Sequence, residues 1–100
     1  MQNSFSKTYK LVQKIPKGKV VTYGTLAKLI GTTPRVIGFA LHANKNPDKV
    51  PCHRVVFADG KLSKGYAFGG SKIQMKLLKS EGIGFINERV NLEKYLAKLS

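Results

Sequence analysis

Cys52 and His53 stand side by side in the segment Pro51-Cys52-His53-Arg54 and supply the only thiol and one of two imidazoles in the chain. A free thiol with an ordinary pKa near 8.5 is only about 3% thiolate at pH 7. A histidine that takes the proton, or cationic groups close by, raises that fraction, so the pair is a candidate nucleophile and base. A carboxylate that orients the imidazole would complete a nucleophile–base–orienter relay. The chain offers five carboxylates, and Glu81 falls where a helix is expected to end, a position that can place a side chain well. The competing reading is a lone cysteine buried as a small apolar residue, the usual state of a free thiol.

These residues must be held by a small body. One hundred residues with 42% apolar content suit a single domain over residues 1–100 with one modest core. No apolar run reaches the ~18–20 residues of a membrane span, so no membrane association is expected. The first ten residues, MQNSFSKTYK, lack the apolar centre of a signal peptide. A cytoplasmic (nucleoid-associated) location is therefore expected, or a nuclear one in a eukaryote. A single cysteine excludes an internal disulfide framework, and with two histidines it makes a metal site unexpected. Eighteen basic residues against five acidic ones give a net charge of +13. A folded domain this basic points to a polyanionic partner, with nucleic acid first.

Along the chain, Phe5, Tyr9, Val12 and Ile15 make one apolar stripe at helical spacing, predicting a helix over 4–15 stopped by Pro16 and Gly18. Val20 and Val21 are extended. Thr22 caps a helix bearing Leu26, Ala27 and Leu29, which Gly31 closes. Thr33 caps the next, with Pro34 in its first turn and Val36, Ile37, Ala40 and Leu41 along it. Two helices that meet across Gly31-Thr32-Thr33 predict a helix-turn-helix, with an ordinary helical hairpin as the alternative. Residues 44–51 read as loop, and Arg54 to Phe57 as a buried strand turning at Asp59-Gly60. After the glycine-rich GYAFGG (65–70), a basic helix over 71–80 should turn Ile73, Leu77 and Leu78 inward and Lys72, Lys76 and Lys79 outward. Leu92, Tyr95, Leu96 and Leu99 predict a short last helix. The expected fold is mainly helical with a small strand element.

The flanks of Cys52 sharpen the reading. PCHRVV (51–56) resembles the active-site motif of the O6-alkylguanine-DNA alkyltransferases, which repair alkylated guanine by suicide transfer to a cysteine. VTYGTLA (21–27), RVIGFALHAN (35–44), GYAFGG and LLKSEGI (77–83) resemble further segments of that family, and the eight residues from Asn44 to Cys52 match its spacing. The resemblance covers roughly residues 5–85. It implies a winged-helix-like DNA-binding domain whose recognition helix enters the minor groove of double-stranded DNA that contains O6-alkylguanine.

On that resemblance Cys52 would accept the alkyl group once, with no cofactor, as a monomer. His53 would act as its base through a water, Glu81 would orient His53, and Asn44 would tie the helix-turn-helix to the active-site segment. Tyr23, Thr33, Arg35 and Val36 would lie at the DNA: Arg35 would fill the gap left by the extruded nucleotide, and Tyr23 would rotate its phosphate. Tyr66, Val55 and Pro51 would shape the guanine pocket. The chain departs from the family in several ways. Tyr23 comes 22 residues after the start, so the usual N-terminal domain, with the zinc some members carry there, is expected to be absent. Val36 and Phe39 replace smaller residues, GYAFGG is one residue longer than GYxGG loops, and a serine common there is missing. The alternative reading is a non-enzymatic alkyltransferase-like protein that binds the lesion and signals to nucleotide-excision repair. Such proteins characteristically replace the acceptor cysteine, usually with tryptophan, whereas this chain keeps Cys52. A helix-turn-helix regulator would explain the charge but gives PCHRVV no purpose.

Overall fold

The computed structural model describes residues 3–66 and 68–99; Ala67 of the GYAFGG loop, and Met1, Gln2 and Ser100 of the expected 1–100 unit, lie outside them. Helix α1 (Ser4–Val12) starts where the Asn3 side chain accepts the Ser6 N–H, at 2.9 Å. It ends three residues earlier than its apolar stripe suggests. Tight turns from Lys14 to Leu11 and from Ile15 to Val12 replace the last helical turn, and Ile15 is still buried. The stripe reports burial, and Ile15 reaches the core from a turn as well as from a helix.

Helix α2 (Tyr23–Ile30) is capped by the Thr22 hydroxyl, which accepts the Thr25 N–H, and it closes at Gly31 with φ 86°. Helix α3 (Pro34–His42) begins after Thr33, whose hydroxyl accepts the Val36 N–H. Each such cap contributes about 1 kcal/mol, and three residues join the helices. The expected helix-turn-helix is present. Tyr9 donates to the Ala40 carbonyl at 2.7 Å and so fastens α1 across α3. Val12, Ile15, Leu26, Ile37 and Leu41 form the core between the three helices.

Strand β1 (Val21–Thr22) pairs in parallel with β2 (Val55–Val56), Val21 against Val55. The expected strand over 54–57 shortens at both ends, because Arg54 belongs to a 3₁₀ turn, Cys52–Arg54. Gly60, with φ 86°, turns the chain back as expected. A Cβ at Gly60 would sit 2.4 Å from the Val90 carbonyl oxygen, so no other residue fits.

Helix α4 (Gly70–Ser80) presents a different face from the expected one. Gln74 and Leu78 are buried, Leu77 is half-buried and Ile73 is 39% exposed. The inward line is Gln74–Leu78–Glu81 at i, i+4, i+7, and Lys72, Lys76 and Lys79 face solvent as expected. A hairpin follows that the alternation of residues does not announce: β3 (Phe85–Ile86) against β4 (Arg89–Val90), through Asn87 and Glu88, both at positive φ. That geometry is the hairpin turn whose twist matches paired strands. The expected C-terminal helix is only α5 (Leu92–Tyr95). Beyond it Leu96 runs beside Val20, where the Val20 N–H donates to the Tyr95 carbonyl and the Ala97 N–H to Val20. Edge pairing satisfies backbone groups that a longer helix would have taken inward. The result is a mainly helical, winged-helix-like fold, with β3 and β4 as its wing.

Candidate functional site

Cys52 opens the 3₁₀ turn and is 3% exposed. Asn44, buried just past the end of α3, donates from its side-chain amide to the Val50 carbonyl at 2.9 Å. The Cys52 N–H donates to the same carbonyl at 2.7 Å. One oxygen thus couples the end of the helix-turn-helix to the thiol. Burial pushes the Cys52 thiol up from its ordinary value, while the Asn44 amide, the local backbone and the Tyr66 hydroxyl pull partly back. The resting sulfur is therefore a protonated thiol. Of the two expected ways to raise the thiolate fraction, a histidine that takes the proton suits a buried thiol better than cations close by.

The candidate base is His53. His53, also buried, shares a 2.8 Å hydrogen bond between its Nε2 and Glu81 Oε2. Burial alone would raise the Glu81 carboxyl, but hydrogen bonds from Arg54 and His53 and their charges outweigh it and hold the group below its ordinary value. An ionised carboxylate only accepts, so Nε2 is the donor in this contact and Nδ1 is the ring nitrogen outside it. No hydrogen bond joins His53 directly to the Cys52 sulfur among the described residues.

Arg54 completes the cluster, and sequence reasoning assigned it nothing. Its Nε donates to Glu81 Oε1 at 2.9 Å, its Nη2 to Oε2 at 2.8 Å, and its Nη1 to the Ile15 carbonyl at 2.9 Å. The two-pronged grip fixes the carboxylate plane before His53 meets it. Gln74 was missed as well. Its amide donates to the carbonyls of His53 and Val55, each at 3.0 Å, and its oxygen accepts the Ser63 N–H. Only the four-residue step from Gln74 to Leu78, with Glu81 next on the same face, signals that it points inward.

The other expected pocket residues gather around Cys52. Pro51 and Val55 are buried on either side of the turn. Tyr66 is 9% exposed, and its hydroxyl is buried without a hydrogen-bond partner among the described residues. Burial, then the negative charge that Cys52 would carry, pushes Tyr66 up to about 12. Each group feels the other, yet no well-formed bond joins them. The parallel register of β1 and β2 brings Tyr23 beside Phe57, ring centroids 5.1 Å apart. Burial raises the Tyr23 hydroxyl, Ser63 opposes this, and Cys52 adds to it.

Arg35, Thr33 and Val36 are not part of this cluster. They lie on the first turns of α3, with Arg35 and Thr33 exposed and Val36 half-buried. A cleft of about 600 Å³ lies elsewhere too: Lys61, Lys64, Lys72 and Arg89 are among the residues that line it, and it shares none with the Cys52 cluster. Among the described residues no group of three or more His, Cys, Asp or Glu side chains is placed to hold a metal ion, and no helix is long and apolar enough to cross a membrane.

The profile of the 6-O-methylguanine DNA methyltransferase DNA-binding domain matches residues 3–83. The chain belongs to this family. It is 50% identical over 78 residues to a Candida albicans methylated-DNA–protein-cysteine methyltransferase, an alignment covering 78% of this chain and 43% of that protein. The chain thus spans less than half the length of that relative. Among solved structures, the S. pombe Atl1 complex with damaged DNA containing O6-carboxymethylguanine superposes with a TM-score of 0.85 at 32% identity, over 98% of this chain and 99% of Atl1. Mycobacterium tuberculosis OGT in complex with DNA gives 0.73 at 34% identity, over 82% of this chain and 50% of that one.

Proposed function

We propose that this chain repairs O6-alkylguanine in double-stranded DNA by taking the alkyl group onto Cys52, once and irreversibly. The reactive carbon lies inside a stacked base pair, so a buried thiol reaches it only after the nucleotide is flipped out. In this reading α3 enters the minor groove with Thr33 and Val36 against the DNA. Arg35 fills the vacated stack, offsetting part of the few kcal/mol that flipping costs. Tyr23 turns the phosphate outward. Pro51, Val55 and Tyr66 enclose the guanine, and Asn44 transmits docking of α3 to the thiol.

His53 Nδ1 then takes the thiol proton through one water, with the imidazolium stabilised by Glu81. The sulfur–carbon bond forms as the carbon–O6 bond breaks, and the bonding pair stays on the guanine. The proton held by His53 returns to the guanine, which regains its N1–H. The product thioether is stable, so one molecule serves one lesion. The observation that supports this reading above others is the 2.8 Å contact of His53 with a Glu81 already gripped by Arg54, directly beside a buried thiol.

A second reading, a non-enzymatic lesion sensor that hands the site to nucleotide-excision repair, is favoured by the end-to-end likeness to S. pombe Atl1. The retained Cys52 favours transfer. Mass spectrometry after incubation with an O6-methylguanine oligonucleotide separates them: transfer adds one methyl group to the peptide containing Cys52, and the sensor reading adds none.

A further inference from the structure

The outward face of α3 carries one residue that the family resemblance does not account for. Phe39 is 54% exposed, one turn after Arg35 at the i+4 position. The Arg35 guanidinium carbon lies over its ring, 5.5 Å from the centroid. Arg35 makes no ion pair among the described residues, in contrast to Arg54, so the ring is its recorded partner. A half-exposed phenyl ring adds little to the fold, because the inward side of α3 is filled by Ile37, Ala40 and Leu41. Gly38 beside it bears no side chain, and nothing stands within 4 Å of where a Cβ would be. The ring and the guanidinium therefore share an open surface.

We propose that Phe39 is a positioning residue for Arg35: its ring holds the guanidinium flat against α3 before DNA arrives, so that less freedom is lost when Arg35 enters the base stack. This deepens the reading above and rests on Arg35 having that role. The attraction is electrostatic, between the cation and the negative face of the ring, and it strengthens as DNA excludes water.

The test uses the full chain in a Cys52→Ser background, so that binding is read at equilibrium whether or not transfer occurs. The probe is a duplex with O6-methylguanine next to 2-aminopurine, whose fluorescence rises on unstacking, and the same strand alone. Phe39→Ala should weaken duplex binding about two- to fivefold, and lower the fluorescence rise, while single-strand binding and the thermal midpoint stay unchanged. Phe39→Tyr, which keeps the ring, should restore both. Adding Phe39→Ala to Arg35→Ala should cost nothing further, since the ring acts through the arginine. A duplex defect in Arg35→Ala with none in Phe39→Ala overturns the proposal and leaves the functional reading intact. Equal losses on duplex and single strand, or a lowered thermal midpoint, overturn it in favour of a plain apolar contact or a role in folding. No duplex-specific defect in Arg35→Ala overturns the role given to Arg35 itself, and the role of Phe39 with it.

Discussion

Replacing Arg54 by alanine should destabilise the protein more than any other surface-reaching substitution, and the size follows from its contacts. The change removes two charged hydrogen bonds to Glu81 and one to the Ile15 carbonyl, at side chains only 16% and 10% exposed. Leaving a carboxylate that is nine-tenths buried with only its His53 hydrogen bond costs about 3 kcal/mol. For a chain of this length that is a fall of about 12–24 °C in Tm, at about 4–8 °C per kcal/mol. Arg54→Lys keeps the charge but not the fork and should lose about half as much. The deficit must also depend on pH. The folded Glu81 carboxyl sits below its ordinary value of 4.5, so the folded state binds fewer protons than the unfolded state. Its stabilisation is complete above the unfolded value and is lost as pH falls through the folded one. Urea unfolding of wild type and Arg54→Ala at neutral pH and at acid pH measures both points. The gap between the two proteins should be widest at neutral pH and narrow on acidification. A gap under about 1 kcal/mol at neutral pH, or one that does not change with pH, would refute the view that Arg54 holds an ionised Glu81.

Other consequences are independent of that one. If about five phosphates are neutralised by this +13 chain, DNA affinity measured by fluorescence anisotropy should fall roughly 500-fold between 50 and 200 mM salt, and a flat response would remove the electrostatic basis of docking. Tyr66→Phe removes a buried hydroxyl that has no partner among the described residues, so thermal denaturation should show unchanged or slightly raised stability; a loss above about 1 kcal/mol would mean the hydroxyl is bonded. Gln74→Leu strands two carbonyls and the Ser63 N–H, and should lower stability by about 2–3 kcal/mol in the same assay, whereas a neutral result would mean that the amide is dispensable.

How far the sequence could be read depended on the kind of signal. Backbone punctuation was legible: Thr22, Gly31, Thr33 and Pro34 mark the helix-turn-helix because capping and left-handed closure are local chemistry. The candidate site around Cys52 was legible through the PCHRVV motif, and His53 meets Glu81, 28 residues away along the chain. Arg54 was read as the start of a buried strand and given no role, because its partners, Glu81 and Ile15, lie far along the chain. Gln74 was hidden by its polarity; it is inside because it bonds the backbone of the turn that carries Cys52. The wing was hidden too, since Asn87 and Glu88 make its turn without a glycine and its strands are two residues each.

In the proposed function Cys52 takes one alkyl group and keeps it. A titration with a growing excess of duplex O6-methylguanine DNA, counting repaired guanines per protein and the methyl groups carried by Cys52, tests this. Both should rise together to one equivalent and stop, and Cys52→Ser should give neither while still binding the lesion. Several repaired guanines per protein, methyl transfer by Cys52→Ser, or tight lesion binding by the wild type with no repaired guanine at all would contradict it.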